Sequence, residues 1–201
     1  METNSKQGYK TKLIFKNIIS MVFGLIVTFF SSSFTFGQSN NDNYIFWSST
    51  KKLTIDDFGI KTQNGVTNQS FAQFTLDYQV NGLDFMTINF NKKVHNYMIK
   101  SASWIDTTID VSVSLRYQQT LFDICEIYTR QFRKSLKDNR IKIIYGLQIV
   151  EEINQKVITD FSNRRLIYNS ETNFGTIQEK QNEWELQIHK ELADLKEFAN
   201  E

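Results

Sequence analysis

The chain has 201 residues, of which 40% are hydrophobic, 14% aromatic and 22% charged, a make-up that suits one folded domain with a sizeable core. Its formal net charge of +1 offers no electrostatic footprint for nucleic acid or for an anionic membrane. A single cysteine, Cys125, excludes an internal disulfide framework.

Lys6, Lys10, Lys12 and Lys16 precede an apolar run from Ile18 to Phe30, and small residues follow up to Gly37. That order is the layout of a secretory signal peptide. Residues 1–37 are therefore expected to be a leader cut near Gly37 and Gln38, and residues 38–201 a single exported domain, periplasmic or secreted. The alternative is an uncleaved inner-membrane anchor, although the apolar run is shorter than the roughly 20 residues a spanning helix needs. Beyond this segment no contact with a membrane is expected.

Tyr44 to Trp47 suits a short strand by its aromatic and β-branched content. Asp56 and Asp57 read as turn or helix-capping residues. After a loop at Asn64-Gly65, Ala72, Phe74, Leu76, Tyr78 and Val80 alternate with polar residues, and Asn81-Gly82 leads into residues 83–90. This predicts a hairpin with one wet face. Residues 94–105, with His95 and Trp104, predict a further strand.

Residues 115–136 carry the strongest pattern. At about 100° per residue, Val113, Tyr117, Leu121, Ile124, Cys125, Tyr128, Phe132 and Leu136 fill one broad arc, widened by Leu115 and Phe122. Arg116, Gln119, Asp123, Glu126, Arg130 and Lys134 fall on a narrow opposite strip, with Glu126 and Arg130 paired at i,i+4. A helix apolar over more than half its circumference is covered on several sides, so this is the expected central helix. Cys125 lies within the arc as a small buried hydrophobe. Two helices follow. Leu147, Val150, Ile153, Val157 and Phe161 mark one ending near residues 164–168. Thr176 and Glu179 form a capping box for another with Trp184, Ile188, Leu192 and Leu195. Residues 138–145 are ambiguous, since Ile141, Ile143 and Tyr145 also alternate like a strand. The expected class is α+β, a small antiparallel sheet packed on a central helix with two further C-terminal helices.

The central helix reads Y-Q-Q-T-L-F-D-I-C-E-I-Y-T-R from Tyr117 to Arg130. It resembles the active-site helix of a bacterial family of secreted zinc-dependent proteases, whose pattern runs H-E-Q-x-H-F-D-I-x-E-x-x-x-R. Gln119, Phe122, Asp123, Ile124, Glu126 and Arg130 match. Tyr117, Gln118 and Leu121 stand where that family has His, Glu and His. Upstream, Trp47 and then Leu53, Thr54, Asp56, Asp57 and Phe58 are similar to its Trp and L-T-W-D-D-F signature, with Ile55 in place of the Trp. Ser103-Trp104 matches an S-W pair. Downstream, Tyr168, Glu171, Thr172, Gly175, Gln181 and Trp184 match Y-D-x-E-T-x-H-G followed by Q and W. Here Asn169 replaces the Asp and Phe174 the His.

The resemblance implies a zincin-like fold in which two His bind zinc and the intervening Glu takes a proton from metal-bound water. None of those chemical residues survives here. Leucine and phenylalanine cannot bind zinc, glutamine cannot act as a general base, and a tyrosine would have to ligate as a phenolate. The expectation is an exported metallopeptidase homologue without zinc, other cofactor or catalytic residues, whose partner is a peptide or protein. The alternatives are an envelope protein of structural or partner-binding role with only ancestral peptidase resemblance, and a hydrolase with an unidentified site. His95 and His189 with Asp123 or Glu126 are the one other candidate metal set.

Overall fold

Strand β4 (Val94–Asp106) is the element to which the rest of the sheet attaches. A computed structural model of the chain describes residues 41–63, 69–78 and 92–200. The expected leader, the Asn64-Gly65 loop, the Asn81-Gly82 turn and the strand at residues 83–90 lie outside these residues. Short β1 (Tyr44–Phe46) runs antiparallel to β4, with Tyr44 opposite Ile99 and Phe46 opposite Tyr97. Strand β2 (Ile60–Thr62) runs parallel to its far end, with Ile60 opposite Trp104 and Thr62 opposite Asp106. Strand β3 (Ser70–Tyr78) pairs antiparallel along almost the whole of β4, from Ser70 opposite Ile105 to Tyr78 opposite Val94. Since β3 occupies one edge of β4, β1 and β2 share the other.

The sheet is therefore mixed, which corrects the expected antiparallel one. Its parallel member is three residues long, too short for any alternation to register. The β3–β4 ladder shifts register between Phe71 and Gln73. Buried Ser103 fills the irregularity, accepting from the Gln73 amide at 3.0 Å and donating to the Ile99 carbonyl at 2.6 Å. At the same bend Gly59 donates its amide to Lys100 O at 2.9 Å. A β-carbon on Gly59 would sit 2.6 Å from that oxygen, so only glycine permits the approach.

The central helix α1 (Val111–Asp138) is longer than its apolar pattern. Asp110 caps it, its Oδ1 accepting from the Ser112 and Val113 amides at 2.9 and 3.4 Å. Those bonds and the Ser112 hydroxyl hold the Asp110 carboxyl below its ordinary range. Three helices follow instead of two: short α2 (Arg140–Tyr145), α3 (Gln148–Thr172) and α4 (Gln178–Asp194). The ambiguous segment is thus helical, and only Ile143 of it turns inward. Thr176 does not cap α4: its hydroxyl donates to Asn173 O at 2.7 Å, and Ile177 takes the cap position. Two apolar clusters result. One joins the sheet to α1, α3 and α4 through Phe74, Met98, Leu121, Phe122, Tyr168 and Ile188. The other gathers Val94, Phe132, Leu136, Ile143, Val150 and Val157.

Candidate functional site

The end of α3 folds back onto α1 at Tyr117. Asn173, Phe174 and Gly175 all have positive φ, at 44, 56 and 84°. A left-handed asparagine is common, but a bulky aromatic there is strained by about 1–3 kcal/mol. The surroundings fix the turn: Thr172 Oγ1 accepts from the Gly175 amide at 3.1 Å, and the Phe174 amide donates to Asn169 O at 3.1 Å. A β-carbon on Gly175 would lie 2.6 Å from Cβ of Tyr117, so the turn rests directly on the central helix.

This turn assembles an aromatic cluster. The Tyr117 ring stacks on Tyr168 with centroids 5.2 Å apart and planes at 10°, and meets Phe174 edge-on at 6.1 Å and 66°. The Tyr117 hydroxyl donates to Asn169 Oδ1 at 2.5 Å across 52 positions of sequence. Burial pushes that hydroxyl far above the ordinary phenol range, against a weaker opposing pull from Arg165. Leu121 lies wholly buried in the same cluster. Gln118 is 1% exposed; its Nε2 donates to Ser70 Oγ at 3.0 Å, while its Oε1 has no hydrogen-bond partner among the described residues. Such a set does not fit zinc. Two of its side chains have no donor atom, the tyrosine is held neutral, and the glutamine cannot take up a proton.

The other residues singled out in the sequence form the support beneath this cluster. Trp47 Nε1 and Gln119 Nε2 both donate to Asp123 Oδ1, at 2.8 and 2.9 Å, and Gln119 Oε1 accepts from the Leu53 amide at 2.9 Å. Burial raises the Asp123 carboxyl above its ordinary value, with Trp47 and Lys52 pulling the other way. Glu126 Oε1 accepts from Arg130 Nε at 2.9 Å and Arg133 Nη1 at 3.1 Å, and its Oε2 accepts from Asn96 at 2.9 Å. Arg130 also covers the Trp47 ring at 5.2 Å. Asp123, Glu126 and Arg130 are buried, which corrects the reading of a charged strip set apart from the core. The strip faces the segment at residues 47–54 and the chain's last turn, both too irregular to carry a periodic signal. Arg133 was missed by sequence reasoning. Its signal is the i, i+4, i+7 spacing of Glu126, Arg130 and Arg133, one stripe on one helix.

Asp57 caps its own turn, its Oδ2 accepting from the Thr54 amide at 2.8 Å, whereas exposed Asp56 pairs with Lys61 at 3.7 Å. Phe58 is core, Phe122 stacks on Phe74 at 4.8 Å, and half-buried Trp104 lies opposite Phe71 and Ile60 in the sheet. The Tyr168 hydroxyl donates to Gln181 Oε1 at 2.7 Å, and Trp184 Nε1 donates to Glu171 at 2.8 Å.

No known family, curated protein or solved structure matches the chain. The site is therefore judged on its own chemistry. Cys125 is buried, and burial pushes its thiol far above the range at which a thiolate nucleophile forms. His95 lies 3.3 Å from the Asn200 amide group and edge-on to Phe46, while His189 is exposed beside Asp123 and Lys52. Among the described residues no three His, Cys, Asp or Glu side chains are grouped to hold a metal. A groove of about 290 Å³ does lie between β3 and α3, lined by Gln73 to Leu76, Tyr128 and Phe161, with Arg165 beside it over the Phe71 ring at 5.1 Å.

Proposed function

We propose that this chain is an exported, catalytically inactive relative of zincin-type metallopeptidases that has kept a peptide- or protein-binding role. One observation carries the reading. Tyr117, Asn169 and Phe174, which stand where the resembling family has His, Asp and His, come together in a single contact cluster. A metal-binding histidine commonly donates its second ring N–H to a carboxylate, which fixes its orientation. Asn169 accepting from Tyr117 occupies that supporting role with both partners made neutral. The scaffold matches support the same reading, since Trp47, Gln119, Asp123, Glu126 and Arg130 bond to one another or stack together. The apolar groove beside β3 supports a binding role, because an extended segment laid there would meet both strand backbone and side-chain pockets.

Restoring Tyr117→His, Gln118→Glu, Leu121→His and Phe174→His together is expected to create stoichiometric zinc binding in a protein that otherwise binds none. Elemental analysis and calorimetric titration measure it. A folded quadruple variant without zinc affinity, or stoichiometric zinc in the unaltered chain, would count decisively against the proposal.

A further inference from the structure

The Arg165 guanidinium offers N–H donors in a rigid fork, yet among the described residues nothing accepts from it and no carboxylate pairs with it; it rests over the Phe71 ring at 5.1 Å. The groups whose fields reach it are Tyr117 and Cys125, and burial holds both of them neutral. The acids nearest the groove are matched by other cations. Glu191 accepts from Arg164 at 2.6 and 2.7 Å, and Asp160 pairs with Lys156 at 2.5 Å. Burial therefore lowers the Arg165 pKa with no carboxylate to offset it, although a guanidinium still keeps its proton. This uncompensated cation stands at one end of the groove between β3 and α3. Val157, Phe161 and Arg165 recur at steps of four on α3, so they share one face over about 12 Å of helix. Leu76 packs with Val157 at the far end, and Phe71 lies under Arg165 at the near end. Among the described residues that line the groove, Arg165 alone is charged. Two polar side chains of its walls are already bonded within the fold, Gln73 to Phe74 O at 3.2 Å and Ser162 to Ile158 O at 2.8 Å.

We propose that this groove captures the free C-terminal end of a peptide, pairing its carboxylate with Arg165 and laying its apolar last residues along Phe161, Val157 and Leu76. The inference rests on the peptide-binding reading above and narrows it to one end of a chain. Charge complementarity selects the terminus. The middle of an apolar peptide brings no charge to Arg165, whereas a free end brings one carboxylate whose two oxygens match the guanidinium fork. The open rim selects a peptide over a fatty acid. Ile158 is 43% exposed and Ser162 is also exposed, so an acyl chain would keep much of its length in water, while small-molecule sites bury about 70–90% of their ligand. A peptide sets its side chains into the trough and leaves its backbone amides to water, which satisfies them.

The test offers the full chain to an array of peptides whose last three residues take every combination of Leu, Ile, Val, Phe and Met. Each peptide is made as the free acid, as the C-terminal amide, and as an amide with Glu added at the end. The best free acids are expected to bind, and their amides to bind about tenfold more weakly or worse. Arg165→Met keeps the stem over Phe71 but removes the fork, so it should erase the difference between acid and amide. Arg165→Lys should restore part of it. Ile158→Ser, at the exposed rim, should weaken acid and amide alike, and thermal denaturation checks that each variant is folded. Equal binding of acids and amides to the unaltered chain overturns the inference and leaves the peptide-binding reading standing. No binding of any peptide overturns both. Glu-ending amides that bind as well as the free acids overturn the inference in favour of an acidic side chain. Decanoate that binds as tightly as the best peptide, and is lost in Arg165→Met, overturns it in favour of a fatty acid.

Discussion

Replacing Glu126 by alanine is expected to destabilise the domain by about 3–5 kcal/mol, a large part of the roughly 5–15 kcal/mol that holds a typical domain together. Among the described residues Glu126 is the one carboxylate between Arg130 and Arg133, and all three side chains are at most 5% exposed. Its removal leaves two guanidinium charges facing each other away from water. Their other bonds hold them in place: Arg130 Nη1 donates to Leu192 O at 2.7 Å, and Arg133 to Val94 O at 2.7 Å and Phe198 O at 2.8 Å. Desolvation already depresses the Arg133 pKa despite the carboxylate. Arg133→Lys should fail to rescue, since one ammonium cannot reproduce a planar fork that reaches the sheet and the last turn at once. The Arg116–Glu185 pair, bidentate at 2.7 Å but partly open to solvent, should cost under about 1 kcal/mol when Arg116 becomes alanine. Urea denaturation followed by tryptophan fluorescence gives both values. A loss at Glu126 no larger than that at Arg116 would mean that water reaches the network.

Gly175→Ala is expected to cost about 2–4 kcal/mol, the sum of left-handed strain and overpacking. The glycine has φ 84°, and the added carbon would meet Cβ of Tyr117 at 2.6 Å. Because the nearest atom is Cβ itself, Tyr117→Ala should not relieve the clash. A double-mutant cycle therefore predicts that Gly175→Ala costs nearly as much with alanine at 117 as with tyrosine. Near-complete recovery there would show that the ring, and not the backbone approach, sets the packing. The same substitution made on the ligand-restored variant should abolish its zinc binding, since the close approach at Gly175 is what carries residue 174 to residue 117.

What the sequence discloses here depends on the range over which a signal acts. The central helix and the inward residues of β3 and β4 follow from local period, because one buried face repeats within a few residues. The burial of Asp123, Glu126 and Arg130 does not follow from period. It depends on Trp47, Asn96 and Phe198, which approach from three separate parts of the chain. Thr176 and Glu179 present the right spacing for a cap, yet the strained turn at Asn173 claims the hydroxyl first. In α2, alternate isoleucines satisfied a strand pattern, and only the burial of Ile143 separates the two readings. The meeting of Tyr117 with Phe174 was beyond any local pattern.

The attachment of every described strand to β4 divides the sheet into parts of unequal lifetime. β3 lies along β4 for nearly its whole length, whereas β1 contributes three residues and is secured by Trp47, whose amide donates to Asn96 O at 3.2 Å. Amide protons of β4 bonded to β1 should therefore exchange with deuterium well before those bonded to β3, through an opening smaller than global unfolding. That opening frees Asp123 from Trp47 and returns its carboxyl, raised by burial in the closed form, to the ordinary range. Opening then releases a proton. Once the intrinsic rise of exchange rate with pH is divided out, the opening equilibrium should grow as pH climbs through the closed-form pKa. Asp123→Asn should flatten that slope.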